Sequence, residues 1–257
     1  MLKYKTVNIV FLGLLISLLF WNWRYNVPIW TVVLLLIIYG VIQVYGAIMV
    51  SSQFFVPIRC SGPSRSGAIA ITFDDGPLPE KTGKILRILK EHQAQSAFFC
   101  IGRRVMENPE LVRQIHAEGH ILGNHTFSHA GTFDLQSAQA MSDELKAADK
   151  AMQRIVELSP RFFRPPYGIT NPNLANAILK GGYVTVGWSV RSFDTIIKDK
   201  TKLFKRVTKK LRAGDIVLFH DYCDSTIEML PDFLNHVSNI GLKVVRVDQL
   251  LSENAYV

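Results

Sequence analysis

The stretch Ala68-Ile69-Ala70-Ile71-Thr72-Phe73-Asp74-Asp75-Gly76-Pro77 decides how the rest of the chain is read. Its first six residues are apolar, small or β-branched and contain no breaker, which is the pattern of a short buried strand. Gly76-Pro77 then turns the chain. Two adjacent carboxylates are thereby delivered at the end of a strand, where one can ligate a metal while its neighbour acts as a base. An ordinary Asp-Gly turn explains the stretch equally well in isolation. What separates the two readings lies downstream, in His125 and His129, in Arg164-Pro165-Pro166-Tyr167-Gly168, and in Leu218-Phe219-His220. Together these groups describe a metallohydrolase.

Beyond this stretch, short apolar runs alternate with amphipathic ones. The runs predict strands at Ala68–Phe73, Ser96–Ile101, Ile121–Gly123, Phe162–Arg164, Tyr183–Val190, Asp215–His220 and Lys243–Val247. Helical periodicity covers about Lys81–His92, a helix opening at Asn108-Pro109 and stopping at Gly119, then Leu135–Leu158, Asn173–Lys180, Lys202–Leu211 and Thr226–Asn239. Strands alternating with helices imply parallel pairing with right-handed crossovers, which suits an open sheet or a barrel. The positions of Asp74, His125, Arg164 and His220, each at or just past a strand's C-terminal end, favour a barrel. The expected fold is therefore α/β, a distorted parallel (β/α) barrel of about seven strands.

Preceding this domain, residues 1–50 contain no acid and only Lys3, Lys5 and Arg24 as cations. They hold two apolar segments, roughly Thr6 to Trp21 and Val27 to Val50, the second ample for a bilayer core. The first alone also fits a signal peptide. A longer apolar segment follows it almost at once, however, with no clean small-residue cleavage site between them. A two-helix transmembrane anchor over residues 1–50 is expected, with a linker over 51–66 and a catalytic domain over 67–257. The protein is placed at the cell membrane as a multi-pass chain. Counting cations puts both ends in the cytoplasm, whereas a single span would put the domain outside.

All 21 acidic residues, and all but three of the 29 Lys and Arg, fall after residue 50. That is a mildly basic domain, suited to an anionic membrane surface but without the clustered basic stripe of a nucleic-acid binder. Nucleic acid is excluded as a partner. Cys60, Cys100 and Cys223 are widely spaced, with no CxxC, so neither a disulfide framework nor a thiolate zinc site is indicated.

His125 and His129 stand four residues apart, and a helical turn there would set both imidazoles on one face. With a carboxylate they make a His-His-Asp set that leaves positions open, as catalytic zinc sites do. The order Thr-Phe-Asp-Asp-Gly-Pro, His-x-x-x-His, Arg-Pro-Pro-Tyr-Gly and Leu-x-His resembles the polysaccharide deacetylases of the NodB-homology type, carbohydrate esterase family four. The resemblance spans about residues 66–250 and leaves the apolar N-terminus outside it.

The resemblance implies a distorted barrel of parallel strands and helices. It also implies that Asp75, His125 and His129 ligate a divalent metal, usually zinc, and that Asp74 is the base for water bound to it. By the same resemblance His220 is the acid that protonates the leaving amine, and the Tyr167 backbone N–H stabilises the oxyanion. Arg164 orients the base, Asp194 supports the arginine and the histidine, and Leu218 lines the pocket for the acetyl methyl beside Pro165 and Pro166. One motif departs from the family pattern. Where the family usually has Asp-x-x-Asp-Trp, this chain has Arg191-Ser192-Phe193-Asp194-Thr195, with Trp188 or Phe193 as a substitute aromatic wall. These departures bear on the substrate rather than on the chemistry.

The expected function is metal-dependent removal of N-acetyl groups from amino sugars of a cell-surface polysaccharide or peptidoglycan. Two alternatives stand beside it: deacylation or deformylation of a lipid-linked sugar at the membrane, and a catalytically silent, membrane-tethered glycan-binding module.

Overall fold

The structure is a computed structural model that describes residues 2–257. Its N-terminal part is a pair of apolar helices, α1 (Tyr4–Tyr25) and α2 (Ile29–Ile48), joined by a turn in which Asn26 is left-handed and Pro28 precedes the second helix. Both are long and apolar enough to cross a membrane. At 1.5 Å per residue they span about 30 Å each, the thickness of a bilayer core. Stacking of Phe11 on Tyr39 at 4.0 Å and a hydrogen bond from Tyr39 Oη to Asn8 Oδ1 at 3.0 Å hold the pair together.

The rest of the chain forms one curled sheet covered by helices. In chain order its elements are β1 (Ile58–Arg59), β2 (Ala68–Asp74), α3 (Pro79–Glu91), β3 (Ala97–Cys100), α4 (Gly102–Glu107), α5 (Pro109–Ala117) and β4 (Ile121–Asn124). These are followed by α6 (Ala138–Val156), β5 (Phe162–Phe163), α7 (Pro172–Gly181), β6 (Val184–Val186), β7 (Val190–Arg191) and α8 (Lys200–Thr208). The chain closes with β8 (Ile216–His220), α9 (Asp224–Asn239), β9 (Lys243–Val244) and α10 (Val247–Leu251). All named strand pairs are parallel, in the order β1-β6-β5-β4-β3-β2-β8-β7, with β9 added to the start of β2.

The sequence predicted one strand over Tyr183–Val190; the chain forms two. Val184–Val186 pairs with β5, and Val190–Arg191 pairs with β8 on the far side of the sheet. One continuous stretch therefore touches both sides of the curl, bending at Gly187-Trp188-Ser189, and this gives the sheet its distorted-barrel shape. Ile58–Arg59 adds a further strand that the sequence did not signal. The count is nine strand segments instead of about seven.

The alternation within β2 explains how the core and the site share one strand. Ile69, Ile71 and Phe73 face outward and pack with Ile85, Leu86 and Leu89 of α3 and with Leu230 and Phe233 of α9. Ala68 and Ala70 face inward with Phe99, Phe162 and Ile216, where small side chains suit the tight curl. Thr72 and Asp74 continue that inner face, so the strand's last inward position is a carboxylate. Helices around the sheet start where the sequence signals them. Asn171, Ser137 and Asp199 accept from the backbone N–H groups of Leu174, Ala140 and Lys202, and Pro109 and Pro172 take the first helical position.

The stretch 51–66 is not a free tether. Val50, Phe54, Val56 and Ile58 are buried, and Val50, Val56 and Ile58 share a cluster with Phe163, Leu174 and Ile178.

Candidate active site

Asp74 ends β2, and Asp75 follows it with φ at 76°, which swings the second carboxylate away from the strand direction. The Asp75 backbone is fixed by its own N–H to Phe99 O and by the Arg104 guanidinium donating to its carbonyl. His125 follows directly on β4. Between it and His129 there is no helix: Thr126 and His129 are both left-handed, with φ at 64° and 51°. The two imidazoles converge because a folded loop brings them together, at 4.9 Å between ring centroids. This corrects the helical-turn expectation.

Groups outside the sequence motifs hold that loop. Glu144 on α6 accepts from the backbone N–H groups of Phe127 and Ser128 and from the Ser128 hydroxyl. Asn124 accepts from the Thr126 N–H and donates to Leu145 O and Asp149 Oδ1. An acid on the inner side of α6 was the only signal of this, and nothing local marks which strand end it serves.

His125 Nδ1 lies 2.8 Å from Arg164 O, and a carbonyl only accepts, so the imidazole proton sits on Nδ1. Its Nε2 then presents a lone pair 3.4 Å from Asp75 Oδ1, while His129 Nε2 lies 3.3 Å from the same oxygen. Asp75 Oδ1 is buried and has no hydrogen-bond partner among the described residues. One carboxylate oxygen and two imidazole nitrogens, all within 4.8 Å of one another, thus converge on a common point. Such a donor set fits a divalent cation. Burial pushes the Asp75 pKa upward, but the close His125 imidazole and the neighbouring His129 and His220 outweigh it and hold the group at about 2. Burial, first, and the adjacent His125 imidazole push the His129 pKa down, toward the neutral form that ligates.

Arg164, at the end of β5, is completely buried. Its Nη1 donates to Asp74 Oδ1 at 2.6 Å and to Thr72 Oγ1 at 2.8 Å, its Nε to Val186 O and its Nη2 to Gly187 O. The guanidinium also lies 4.1 Å from the centroid of the Phe99 ring. Asp74 is therefore held in one orientation, its second oxygen 4.0 Å from His125 Nε2.

His220 ends β8 beside Asp74, with which it is paired in register. Its Nδ1 donates to Asp194 Oδ1 at 2.8 Å, and Asp194 Oδ2 accepts from the His220 N–H and the Thr226 hydroxyl. Burial pulls the His220 pKa down, but the Asp194 hydrogen bond and the surrounding carboxylates outweigh it and raise the group above its ordinary value.

A pocket of about 230 Å³ opens over these groups, lined by Asp74, Asp75, His125, His129, Pro165, Tyr167, Gly168, Trp188, Arg191, Thr195, Leu218, His220 and Tyr222. Arg164, Asp194 and Pro166 stand behind the wall rather than in it. Tyr167 has φ at 58°, and its ring lies 5.0 Å from that of His129. Gly168 is also left-handed, and a Cβ there would meet Trp188 at 2.6 Å and Val50 at 2.8 Å. Trp188 supplies the aromatic wall, with Arg191 beside it at 5.5 Å from its ring. His120, buried, accepts from the Ser96 N–H and belongs to the core.

The family model for polysaccharide deacetylase matches residues 61–186. The chain is 35% identical over 194 residues to a peptidoglycan-N-acetylglucosamine deacetylase of Bacillus cereus, covering 74% of this chain and 90% of that protein. It is 37% identical over 157 residues to a chitooligosaccharide deacetylase of Azorhizobium caulinodans, covering 61% of this chain and 74% of that one. Among solved structures, the Bc1960 peptidoglycan N-acetylglucosamine deacetylase superposes with a TM-score of 0.72 at 26% identity, over 76% of this chain and 93% of its own.

Proposed function

The chain belongs to the polysaccharide deacetylase family, and on that footing we propose that it is a hydrolase removing N-acetyl groups from amino sugars of a glycan such as peptidoglycan or a chitooligosaccharide. The observation that carries the reading is the adjacency of three constellations. These are the Asp75–His125–His129 cluster, the Arg164-bound Asp74 and the Asp194-bound His220, all lining or backing one pocket.

The chemistry is amide hydrolysis, in which water adds to the acyl carbon, the C–N bond breaks, and acetate and a free amine result. A divalent ion held by Asp75, His125 and His129, zinc by the family resemblance, would supply a Lewis acid that polarises the carbonyl and acidifies water. Asp74 accepts the proton of the attacking water, and Arg164 holds that carboxylate in place. His220, kept protonated by Asp194, gives its Nε2 proton to the departing nitrogen. The Tyr167 backbone N–H donates to the oxygen on which charge develops. Leu218, buried in the pocket lining, receives the acyl methyl, with Pro165 lining the pocket and Pro166 behind it.

We assign α1 and α2 as a membrane anchor and residues 67–257 as the catalytic unit. The test is acetate release from N-acetylglucosamine oligomers by the full chain in detergent micelles, after chelation and after return of zinc. Release that vanishes on chelation and returns with metal supports the reading; release that persists unchanged without metal refutes it.

A further inference from the structure

The anchor joins the domain at the catalytic end of the sheet, and this bears on what the pocket can reach. Val50 lies only two residues beyond α2, on the order of 7 Å of chain. A Cβ on Gly168, just past β5, would meet Val50 Cγ2 at 2.8 Å, and one on Gly187, just past β6, would meet Val50 Cγ1 at 2.6 Å. Thr170 N–H donates to Ala47 O at 3.0 Å, inside the last turn of α2. The loop bearing Pro165, Tyr167 and Gly168 is thus bonded directly to the end of a membrane-length helix. At the start of α1, Tyr4 N–H donates to Phe54 O, so both helices are tied to the domain at that end.

With the helices seated in a bilayer, the pocket mouth is held at the headgroup layer. The surface around it agrees. Leu135 is 80% exposed, in a turn whose Asp134 carbonyl accepts from the Asn171 side chain, next to the anchored loop. Tyr167, which lines the pocket, is 53% exposed, and Ile196, next to the lining residue Thr195, is 73% exposed. Exposed apolar and aromatic groups beside the end of a span suit an interface of lipid and water.

Charge adds a second constraint. Arg191 lines the pocket, and Arg206 donates to the Arg191 carbonyl; the two guanidinium groups lie 4.8 Å and 4.2 Å from the Phe193 ring. Neither forms an ion pair among the described residues. Stacked guanidinium groups without a carboxylate partner are well suited to phosphate oxygens.

We infer that the pocket takes an N-acylated amino sugar still joined through phosphate to a membrane lipid, presented by the same bilayer that holds the anchor. This rests on the deacetylase reading and narrows its substrate from a free glycan to a lipid-borne one.

The experiment uses the full chain, zinc-loaded, in phospholipid vesicles. One arm offers polyprenyl-diphosphate-linked N-acetylglucosamine in the same vesicles; the other offers soluble N-acetylglucosamine oligomers. Expected is a kcat/KM at least tenfold higher for the lipid-linked sugar, with Arg191→Ala lowering that value by a larger factor than the value for the oligomer. Equal or better turnover of the soluble oligomer overturns this inference and leaves the deacetylase reading standing, whereas no release from either substrate by the metal-loaded chain overturns both. A second readout is independent of turnover. A fluorophore at Leu135→Cys should be quenched by headgroup spin-labelled lipid, and one at Lys209→Cys, near the opposite end of the sheet, should not. Equal quenching, or none at position 135, contradicts the placement.

Discussion

Arg164 Nη1 donates to Asp74 Oδ1 at 2.6 Å, with the guanidinium fully buried inside the curl of the sheet. Taking both ions out of water is expensive, and the remaining donors of Arg164 recover part of that cost through Thr72, Val186 and Gly187. A hydrophobic pair of the same volume would stabilise the fold as well. What the ion pair adds is a carboxylate with one orientation.

Removing the arginine should therefore expose the cost. Arg164→Met is expected to destabilise the protein by about 3–5 kcal/mol in urea titration, because it leaves a buried unpaired carboxylate. Asp74→Asn added to it should restore part of that loss, a coupling that a double-mutant cycle measures directly.

The metal cluster makes a separate prediction. Asp75→Asn replaces the orphaned anionic oxygen with a neutral amide, so zinc affinity measured by calorimetry should fall by on the order of a hundredfold or more. Glu144 touches no ligand atom, yet it holds the loop from which His129 projects. Glu144→Ala should weaken zinc binding about 10–100-fold, the range typical of groups that orient ligands.

On the proposed mechanism, Asp194 should set the alkaline limb of the pH dependence. Burial lowers the His220 pKa, and the Asp194 hydrogen bond and charge do most to raise it above the ordinary value. An acid must be protonated to act, so the alkaline limb of kcat/KM should report loss of this proton. In Asp194→Asn burial is less opposed, the His220 pKa falls, and that limb should move to lower pH. The linkage to stability has the matching sign. A raised folded-state pKa contributes stability that is full below the ordinary histidine value and is lost as pH rises through the raised one. Wild type should therefore exceed Asp194→Asn in stability by more at pH 6 than at pH 9, as read by denaturant midpoints.

The parts of this molecule legible in its sequence are those that one element specifies alone. The inward and outward alternation of β2 and the two carboxylates at its end are local facts, as are the strand-terminal positions of His125, Arg164 and His220. The pairing of His125 with His129 was visible as spacing, but its cause was not, because the loop between them depends on Glu144 from a helix elsewhere in the chain. Tyr183–Val190 reads as one strand because apolar residues alternate through Val184, Val186, Trp188 and Val190; only the curvature of the sheet forces a bend at Gly187-Trp188-Ser189. Ser51–Ser66 read as a linker from its Ser, Gly and Pro content. The burial of Val56 and Ile58, and the strand at Ile58–Arg59, follow from a partner more than a hundred residues away.

On the proposed mechanism Asp74 is the base and Asp75 a metal ligand, two neighbours with separate work. The most direct measurement is acetate release by zinc-loaded Asp74→Asn in the full chain, at a zinc content verified equal to wild type. Bound zinc should be retained and release should fall at least a hundredfold. Wild-type release with zinc bound would contradict the assignment.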